Sequence, residues 1–188
     1  MHAPANSAIA CLGWGSLVWD PRELPIHREW FADGPLIRTD YLRQSRDNRM
    51  TLVLHDVAPL VRSCWALMTV GGLADARSRL GLREGISTSR LNQDIGVWSQ
   101  GDPENSCIAG LSSWAAARGV AHVVWTALPP KFNGEVGRVP TLDEVVQHLG
   151  ALTGPERDLA EQYVRRTPRQ IDTAYRRAIE ARLGWTAR

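Results

Sequence analysis

The chain contains 188 residues, 44% of them hydrophobic and 22% charged, and its formal net charge is +2. This composition is ordinary for a globular protein, so we expect residues 1–188 to form a single domain. It excludes a strongly basic nucleic-acid binder, and no apolar run approaches the ~20 residues that span a bilayer. The apolar stretch near the N-terminus lacks the basic leader of a signal peptide, which predicts a cytoplasmic protein.

The cysteines and histidines show no metal-binding pattern. Three widely spaced cysteines, an odd number, argue against a disulfide framework. The five histidines lack the HxH, HxxxH and HExxH spacings of common metal sites. Lys131 is the only lysine, which argues against chemistry that requires a lysine amine. The sequence therefore favours neither a metal site nor Schiff-base chemistry.

The first 70 residues are predicted to be mostly β-structure. Residues 7–12 (SAIACL) form a short buried strand that ends at Gly13, and the prolines of residues 20–35 indicate an irregular segment. The alternating segments LIRTDYLRQS and RMTLVLHD flank a turn dipeptide, Asp47-Asn48, which predicts a hairpin. Residues 61–70 (VRSCWALMTV) are apolar on both faces, which is typical of a central strand.

The middle of the chain mixes helices and strands. Apolar residues at helical spacing predict a helix from Leu73 to a stop at Gly85. We expect a short strand at DIGVW and a strand at VAHVVWTAL. Between them, CIAGLSSWAAARG predicts a helix capped by Asn105 or Ser106.

The C-terminal third is predicted to be helical over about 141–184. Thr141 and Glu144 form a capping box, and Pro155 and Pro168 suit the first turns of two further helices. Strands that come first and helices that follow predict an α+β fold.

The segment CLGWGSLVWD (residues 11–20) matches none of the common glycine motifs. A dinucleotide fingerprint requires a glycine where Val18 stands, and a P-loop requires a Gly-Lys-Ser/Thr that is absent. A nucleophile elbow requires glycines in place of Trp14 and Val18 around Ser16. Two glycines free the backbone for unusual φ/ψ values, so that successive N–H groups can converge on one oxygen. The alternative is a tight turn whose tryptophans only pack.

This segment resembles the Tyr-Gly-Ser-Leu loop that opens proteins of the γ-glutamylcyclotransferase-like family, particularly its ChaC-type branch. Trp14 replaces the usual tyrosine, and the matching residues are Gly13, Gly15, Ser16, Leu17 and Trp19. SCWALM followed by LGLREG resembles the element that carries the catalytic glutamate of that branch, which maps onto Glu84. DYLRQS resembles an arginine-containing segment of the family, although the usual Gly-Thr element is missing. The resemblance covers about the first half of the chain.

The resemblance implies an α+β fold with a small mixed or antiparallel, barrel-like sheet, helices packed on it and a helical C-terminal third. It implies a cofactor-independent enzyme that releases 5-oxoproline from glutathione or another γ-glutamyl compound. Glu84 would carry the proton, and the segment Gly13–Leu17 would hold the substrate. Arg43 alternates with Tyr41 along its strand, which places it either at the site, where it would bind a substrate carboxylate, or on an ordinary solvated face.

Other side chains and functions stay open at this point. Cys11 as a nucleophile, His55 or His122 as a base, and Asp20 or Glu23 as the carboxylate are alternatives to Glu84. A protein of the same fold that binds a small ligand without turnover is the second hypothesis. The third is an interaction protein that uses the arginines of the last helices, which are interleaved with acids and favour a solvated face instead. These are Arg165, Arg166, Arg169, Arg176 and Arg177.

Overall fold

The computed structural model describes residues 8–187, which form ten strands and six α-helices. The strands are β1 (Ile9–Gly13), β2 (Leu36–Gln44), β3 (Met50–Leu54), β4 (Leu60–Arg62), β5 (Cys64–Leu67), β6 (Ile95–Ser99), β7 (Ile108–Ala109), β8 (His122–Thr126), β9 (Lys131–Phe132) and β10 (Glu135–Val136). The helices are α1 (Leu73–Glu84), α2 (Leu91–Asp94), α3 (Leu111–Ala117), α4 (Leu142–Ala151), α5 (Gly154–Arg166) and α6 (Ala174–Leu183). The α+β class is confirmed.

The strands are arranged in two sheets. The first has the order β5-β1-β8-β6, in which β1 and β8 are parallel and the other pairs antiparallel. The second has six strands centred on β2, which pairs with β3, β4, β7 and β9. The predicted hairpin is β2 and β3, antiparallel around the turn at Asp47-Asn48.

The expected barrel-like sheet is wrong, because neither sheet closes on itself. The first sheet ends at the edge strand β5, beside which Ile26 and Phe31 form isolated bridges. The outer edge of β3 is covered by side chains, since the backbone of Leu52 bonds to Trp14 and Tyr163. At these positions the edge backbone groups are already paired and cannot bind a further strand.

The prediction of a central strand over residues 61–70 is also wrong. This segment forms β4, which pairs with β2 of the second sheet, and then β5, an edge strand of the first. The chain changes sheets at Ser63, a buried residue whose hydroxyl donates to the Pro35 carbonyl. The segment is apolar on both faces over β5 because that edge strand is buried, whereas in β4 only Val61 is buried.

The core lies on both faces of β1. Ala10 and Leu12 face the larger cluster, which extends to the second sheet and the C-terminal helices. Ile9 and Cys11 face a smaller cluster that includes Leu80 of α1. Burial on both faces explains why the strand is continuously apolar.

Two helices begin later than predicted. The last helix starts at Ala174 and not at Pro168, because the Thr173 hydroxyl accepts from the Arg176 amide and caps it there. The helix α3 starts at Leu111, and the Glu104 carboxylate accepts from its first two amides in place of Asn105 or Ser106. The capping box at Thr141 is confirmed. In residues 8–187 no helix has the length and apolarity that a membrane span requires.

A buried aspartate joins β2 to the C-terminal helices. The Asp40 carboxylate accepts from the Thr173 hydroxyl over 2.6 Å and from the Tyr41 amide over 2.9 Å. Burial raises the pKa of Asp40 from 3.8 to about 6, although both hydrogen bonds lower it. The folded state therefore favours the protonated form, and the free energy of unfolding that Asp40 contributes is largest below pH ~4 and is lost as the pH rises through ~6.

Asp40→Asn should remove this loss of unfolding free energy, because an amide does not ionise. Its oxygen can still accept both hydrogen bonds, so the contacts of Asp40 are kept. Relative to the wild type, the free energy of unfolding of the variant should rise between pH 4 and 7 by on the order of 3 kcal/mol. Urea denaturation over this pH range measures the difference. Asp172→Asn, at an exposed carboxylate of the segment before α6, is the matched control and should show no such trend. A flat difference for Asp40→Asn would contradict the burial argument.

Candidate functional site

Residues from distant parts of the chain line a cavity of about 260 Å³. It lies where the parallel neighbours β1 and β8 end, since Gly13 and Thr126 both line it. All site residues predicted from the sequence line this cavity: Gly13, Trp14, Gly15, Ser16, Leu17, Arg43 and Glu84. Their roles stay predictions.

The two glycines of the first loop provide space and not unusual backbone angles. Neither Gly13 nor Gly15 has a positive φ, which corrects the expectation of unusual φ/ψ values. A Cβ atom at Gly13 would lie 2.7 Å from the ring of Trp30, and one at Gly15 would lie 2.4 Å from the Tyr163 hydroxyl oxygen. The side chains of Trp30 and Tyr163 therefore lie closer to the loop than they could if any residue other than glycine stood at positions 13 and 15.

The loop after Gly15 forms a single helical turn. The Val18 amide donates to the Gly15 carbonyl over 3.0 Å, and the Asp20 amide donates to the Ser16 carbonyl over 2.8 Å. As at the start of any helical turn, the first amides are left open. Within the described chain, the N–H groups of Gly15, Ser16 and Leu17 have no protein acceptor. The cavity wall thus offers free backbone donors.

Glu84 ends α1, where Gly85 stops the helix in the left-handed conformation at a φ of 69°. Its neighbour Arg83 is 6% exposed at the side chain, against 17% for Glu84. Arg83 Nη1 donates to Glu84 Oε1 over 2.7 Å, and Arg83 Nη2 donates to the Asp20 carbonyl over 2.5 Å. Arg83 also reaches the Ser16 hydroxyl at 3.4 Å. This guanidinium therefore fixes the carboxylate relative to the first loop.

Trp14 and Tyr163 attach the loop and α5 to the second sheet. The Trp14 indole N–H donates to the Leu52 carbonyl over 3.3 Å, and the Leu52 amide donates to the Tyr163 hydroxyl oxygen over 3.2 Å. Trp14, which replaces the tyrosine of the similar γ-glutamylcyclotransferase-like motif, is thus buried and hydrogen-bonded to β3. Tyr163 was missed in the sequence, because a tyrosine in an amphipathic helix looks like any core residue.

The cavity is lined by four arginines and one acid. Arg22 and Arg49, which the sequence analysis missed, pair with Asp20 at 3.5 Å and with Asp47 at 2.9 Å. Arg83 pairs with Glu84, the one acidic residue among the lining side chains in residues 8–187. The excess of guanidinium groups favours an anionic ligand.

Arg43 is the lining arginine that has no acidic partner within residues 8–187. It follows a register shift in β2, and its Nη1 donates to the Pro129 carbonyl over 2.7 Å. Burial lowers the pKa of this half-buried guanidinium, while the Asp94 carboxylate raises it. Arginine keeps its charge in proteins, so Arg43 places at the cavity a cation that has no salt-bridge partner in residues 8–187.

The alternative residues lie outside this cavity. Burial raises the pKa of the Cys11 thiol far above its ordinary value, and the nearby Glu84 carboxylate raises it further, so this cysteine is not a thiolate nucleophile. His55 pairs with Asp56 at 3.3 Å, and His122 Nδ1 lies 2.9 Å from the Ser99 hydroxyl. Asp20 and Glu23 are exposed, and neither lines the cavity.

The C-terminal arginines do not share one solvated face. Arg176 is 3% exposed and donates to the carbonyls of Pro168, Ile171 and Thr167. These hydrogen bonds fix the segment before α6. The prediction that Arg176 lies on a solvated face is therefore wrong. Arg165 pairs with Glu161 at 2.6 Å on α5.

Comparisons with known proteins give two solved structures and no sequence relatives. Both structures are of γ-glutamyl cyclotransferase specific to glutathione from yeast, one of them labelled with selenomethionine. The labelled one has a TM-score of 0.45 and 14% identity and covers 96% of this chain and 98% of that chain. The other has a TM-score of 0.40 and 16% identity, with 95% and 98% covered. No family model and no curated protein matches the sequence. Similarities this low assign the chain to no family.

The described residues offer no ready metal site. Across residues 8–187, no group of three or more His, Cys, Asp and Glu side chains is placed to hold a metal ion. The cavity instead combines one carboxylate, open backbone donors, a tyrosine hydroxyl and an unpaired guanidinium. These groups can move protons, donate hydrogen bonds to a developing oxyanion and bind a carboxylate.

Proposed function

We propose that this protein is a γ-glutamyl cyclotransferase, which releases 5-oxoproline from glutathione or another γ-glutamyl amine or peptide. The observation that carries the proposal is that Glu84 and the segment Gly13–Leu17 line one cavity. These are the two motifs that resemble the γ-glutamylcyclotransferase-like family, and residues 18–83 separate them along the chain. An enzyme of this kind requires its carboxylate and its substrate loop within reach of one small molecule.

The proposed reaction needs a proton carrier between two nitrogens. The substrate's α-amine attacks its own γ-carbonyl carbon, a C–N bond closes the five-membered ring, and the C–N bond to the leaving amine breaks. Two protons leave the α-ammonium nitrogen and two reach the leaving nitrogen, so the carboxylate returns to its starting state. In Glu84, Arg83 holds Oε1, whereas Oε2 has no hydrogen-bond partner in residues 8–187 and is free to shuttle.

The remaining groups suit the charges of such a substrate. The open amides of Gly15, Ser16 and Leu17 can stabilise the oxyanion or hold the substrate in the bent conformation that ring closure requires. Because nucleophile and electrophile belong to one molecule, this conformation supplies much of the acceleration. A γ-glutamyl group carries an α-carboxylate, and Arg43 offers the unpaired positive charge for a substrate carboxylate.

Arg43→Met should weaken substrate binding, because it removes that charge and keeps most of the side-chain volume. We expect KM to rise about 10- to 100-fold, the usual contribution of a hydrogen bond to a charged group, with a smaller change in kcat. Initial rates at varied substrate concentration measure both constants. Arg38→Met is the matched control, since Arg38 lies on the same strand and donates to the Ala58 carbonyl outside the cavity. Equal KM values for the two variants would contradict the role of Arg43.

The proposed function is tested by incubating the purified protein with a panel of γ-glutamyl compounds and analysing the products by mass spectrometry. We expect 5-oxoproline and the free amine from at least one compound. The alternative, a protein that binds without turnover, predicts that a γ-glutamyl compound raises the melting temperature while no product forms over hours. That result would overturn the proposal.

A further inference from the structure

Tyr163 brings a hydroxyl group from the C-terminal helices into the candidate site. Its side chain is 4% exposed, and its ring packs edge-on against Trp19 at 5.4 Å and against Tyr41 at 6.3 Å. The guanidinium of Arg49 lies 5.7 Å from the ring centroid. These contacts fix the ring, so the direction of the hydroxyl is set by packing and not by solvent.

The hydroxyl has a free hydrogen-bonding proton. Its oxygen accepts from the Leu52 amide over 3.2 Å, and in residues 8–187 no acceptor takes its own proton. Tyr163 lines the cavity, and the space over Gly15 is open to its hydroxyl only because that residue has no Cβ atom. A buried polar proton without a protein acceptor calls for one from a ligand.

The pKa of Tyr163 is raised to about 12, because burial and, less strongly, the Glu84 carboxylate raise it against the opposing hydrogen bond from Leu52. The group therefore stays protonated at neutral pH and acts as a neutral donor, not as an acid or a base. Tyr163 and Glu84 line the same cavity.

We propose that the Tyr163 hydroxyl donates a hydrogen bond to the γ-carbonyl oxygen of the substrate, and to the oxyanion which that oxygen becomes. This role rests on the proposed function. The substrate group next to Glu84 cannot be a carboxylate, because two like charges would repel. The carboxylates belong at the arginines, which leaves the carbonyl at the reacting centre for the neutral donor beside Gly15, in the cavity that Glu84 also lines.

Tyr163→Phe tests the role by removing the hydroxyl and keeping the ring. A donor to the oxyanion acts in the transition state, so we expect kcat to fall about 10²- to 10³-fold while KM changes less than about threefold. Tyr41→Phe is the matched control: Tyr41 is equally buried, and its hydroxyl donates to Thr167 outside the cavity. The control should lose stability and retain kcat. A Tyr163→Phe enzyme with wild-type kcat would overturn the role.

A second variant separates catalysis from folding, because Tyr163→Phe also leaves the Leu52 amide without its acceptor. Tyr163→3-fluorotyrosine retains the hydroxyl with a more acidic proton, so we expect kcat within about threefold of the wild type. A loss of kcat as large as that of Tyr163→Phe would overturn the role. If the wild type itself releases no 5-oxoproline, the proposed function fails and this role with it. If the wild type releases 5-oxoproline and Tyr163→Phe has the same kcat, only the role of Tyr163 is refuted and the proposed function stands.

Discussion

Glu84→Gln should reduce the release of 5-oxoproline by about 10²- to 10⁴-fold, because it removes the one carboxylate that can move protons between the two nitrogens. The amide has the shape of the carboxylate, and its oxygen can still accept from Arg83. Substrate affinity should therefore stay within about tenfold of the wild type, since a general acid–base acts mainly on the chemical step. Single-turnover kinetics and calorimetric titration measure the two effects separately.

Glu23→Gln is the matched control for this substitution. Glu23 is an exposed carboxylate that follows the same loop and lies outside the cavity. We expect wild-type kinetics from this variant. Full activity in Glu84→Gln would show that Glu84 is not the proton carrier, and a loss of activity in Glu23→Gln alone would move that role to the exit of the loop.

Gly15→Ala should have the second large effect. Its new Cβ atom would lie 2.4 Å from the Tyr163 hydroxyl oxygen, so either the loop or α5 must move. Overpacking of this kind costs about 1–3 kcal/mol of unfolding free energy, which chemical denaturation measures. Activity should fall as well, because the same shift displaces the open amides. Gly71→Ala is the control, since nothing lies within 4 Å of a Cβ atom there.

Combining Gly15→Ala with Tyr163→Phe tests the cause of the effect. The phenylalanine ring lacks the hydroxyl that meets the new methyl group, and its nearest ring carbon lies 3.3 Å away. The double variant should therefore be more stable than the sum of the two single losses predicts. Strict additivity would show that Gly15 is required for a reason other than the space taken by Tyr163.

Local patterns predicted the elements whose signals lie within a few residues. The hairpin around Asp47-Asn48, the helix that ends at Gly85 and the capping box at Thr141 are examples. Predictions failed where a distant contact decides. The last helix begins at Ala174 and not at Pro168 because Thr173, whose hydroxyl caps the helix, also donates to the Asp40 carboxylate of β2.

The candidate site shows the same division. The sequence singled out the glycine loop and Glu84 because each lies in a contiguous motif that resembles one of a known family, and both line the cavity. Tyr163, Arg22 and Arg49 were missed because no local pattern distinguishes a cavity residue from a core tyrosine or a surface arginine. The requirement for glycine at position 15 was misread for the same reason, since its cause is a hydroxyl from α5.

The central claim is that the cavity promotes attack by the substrate's own amine and not by water. Running the reaction with glutathione or the most active γ-glutamyl compound in ¹⁸O-enriched water, with products analysed by mass spectrometry, tests this most directly. We expect unlabelled 5-oxoproline, no glutamate, and no reaction when the α-amine is acetylated. Glutamate that carries ¹⁸O, or consumption of the acetylated compound, would contradict the claim.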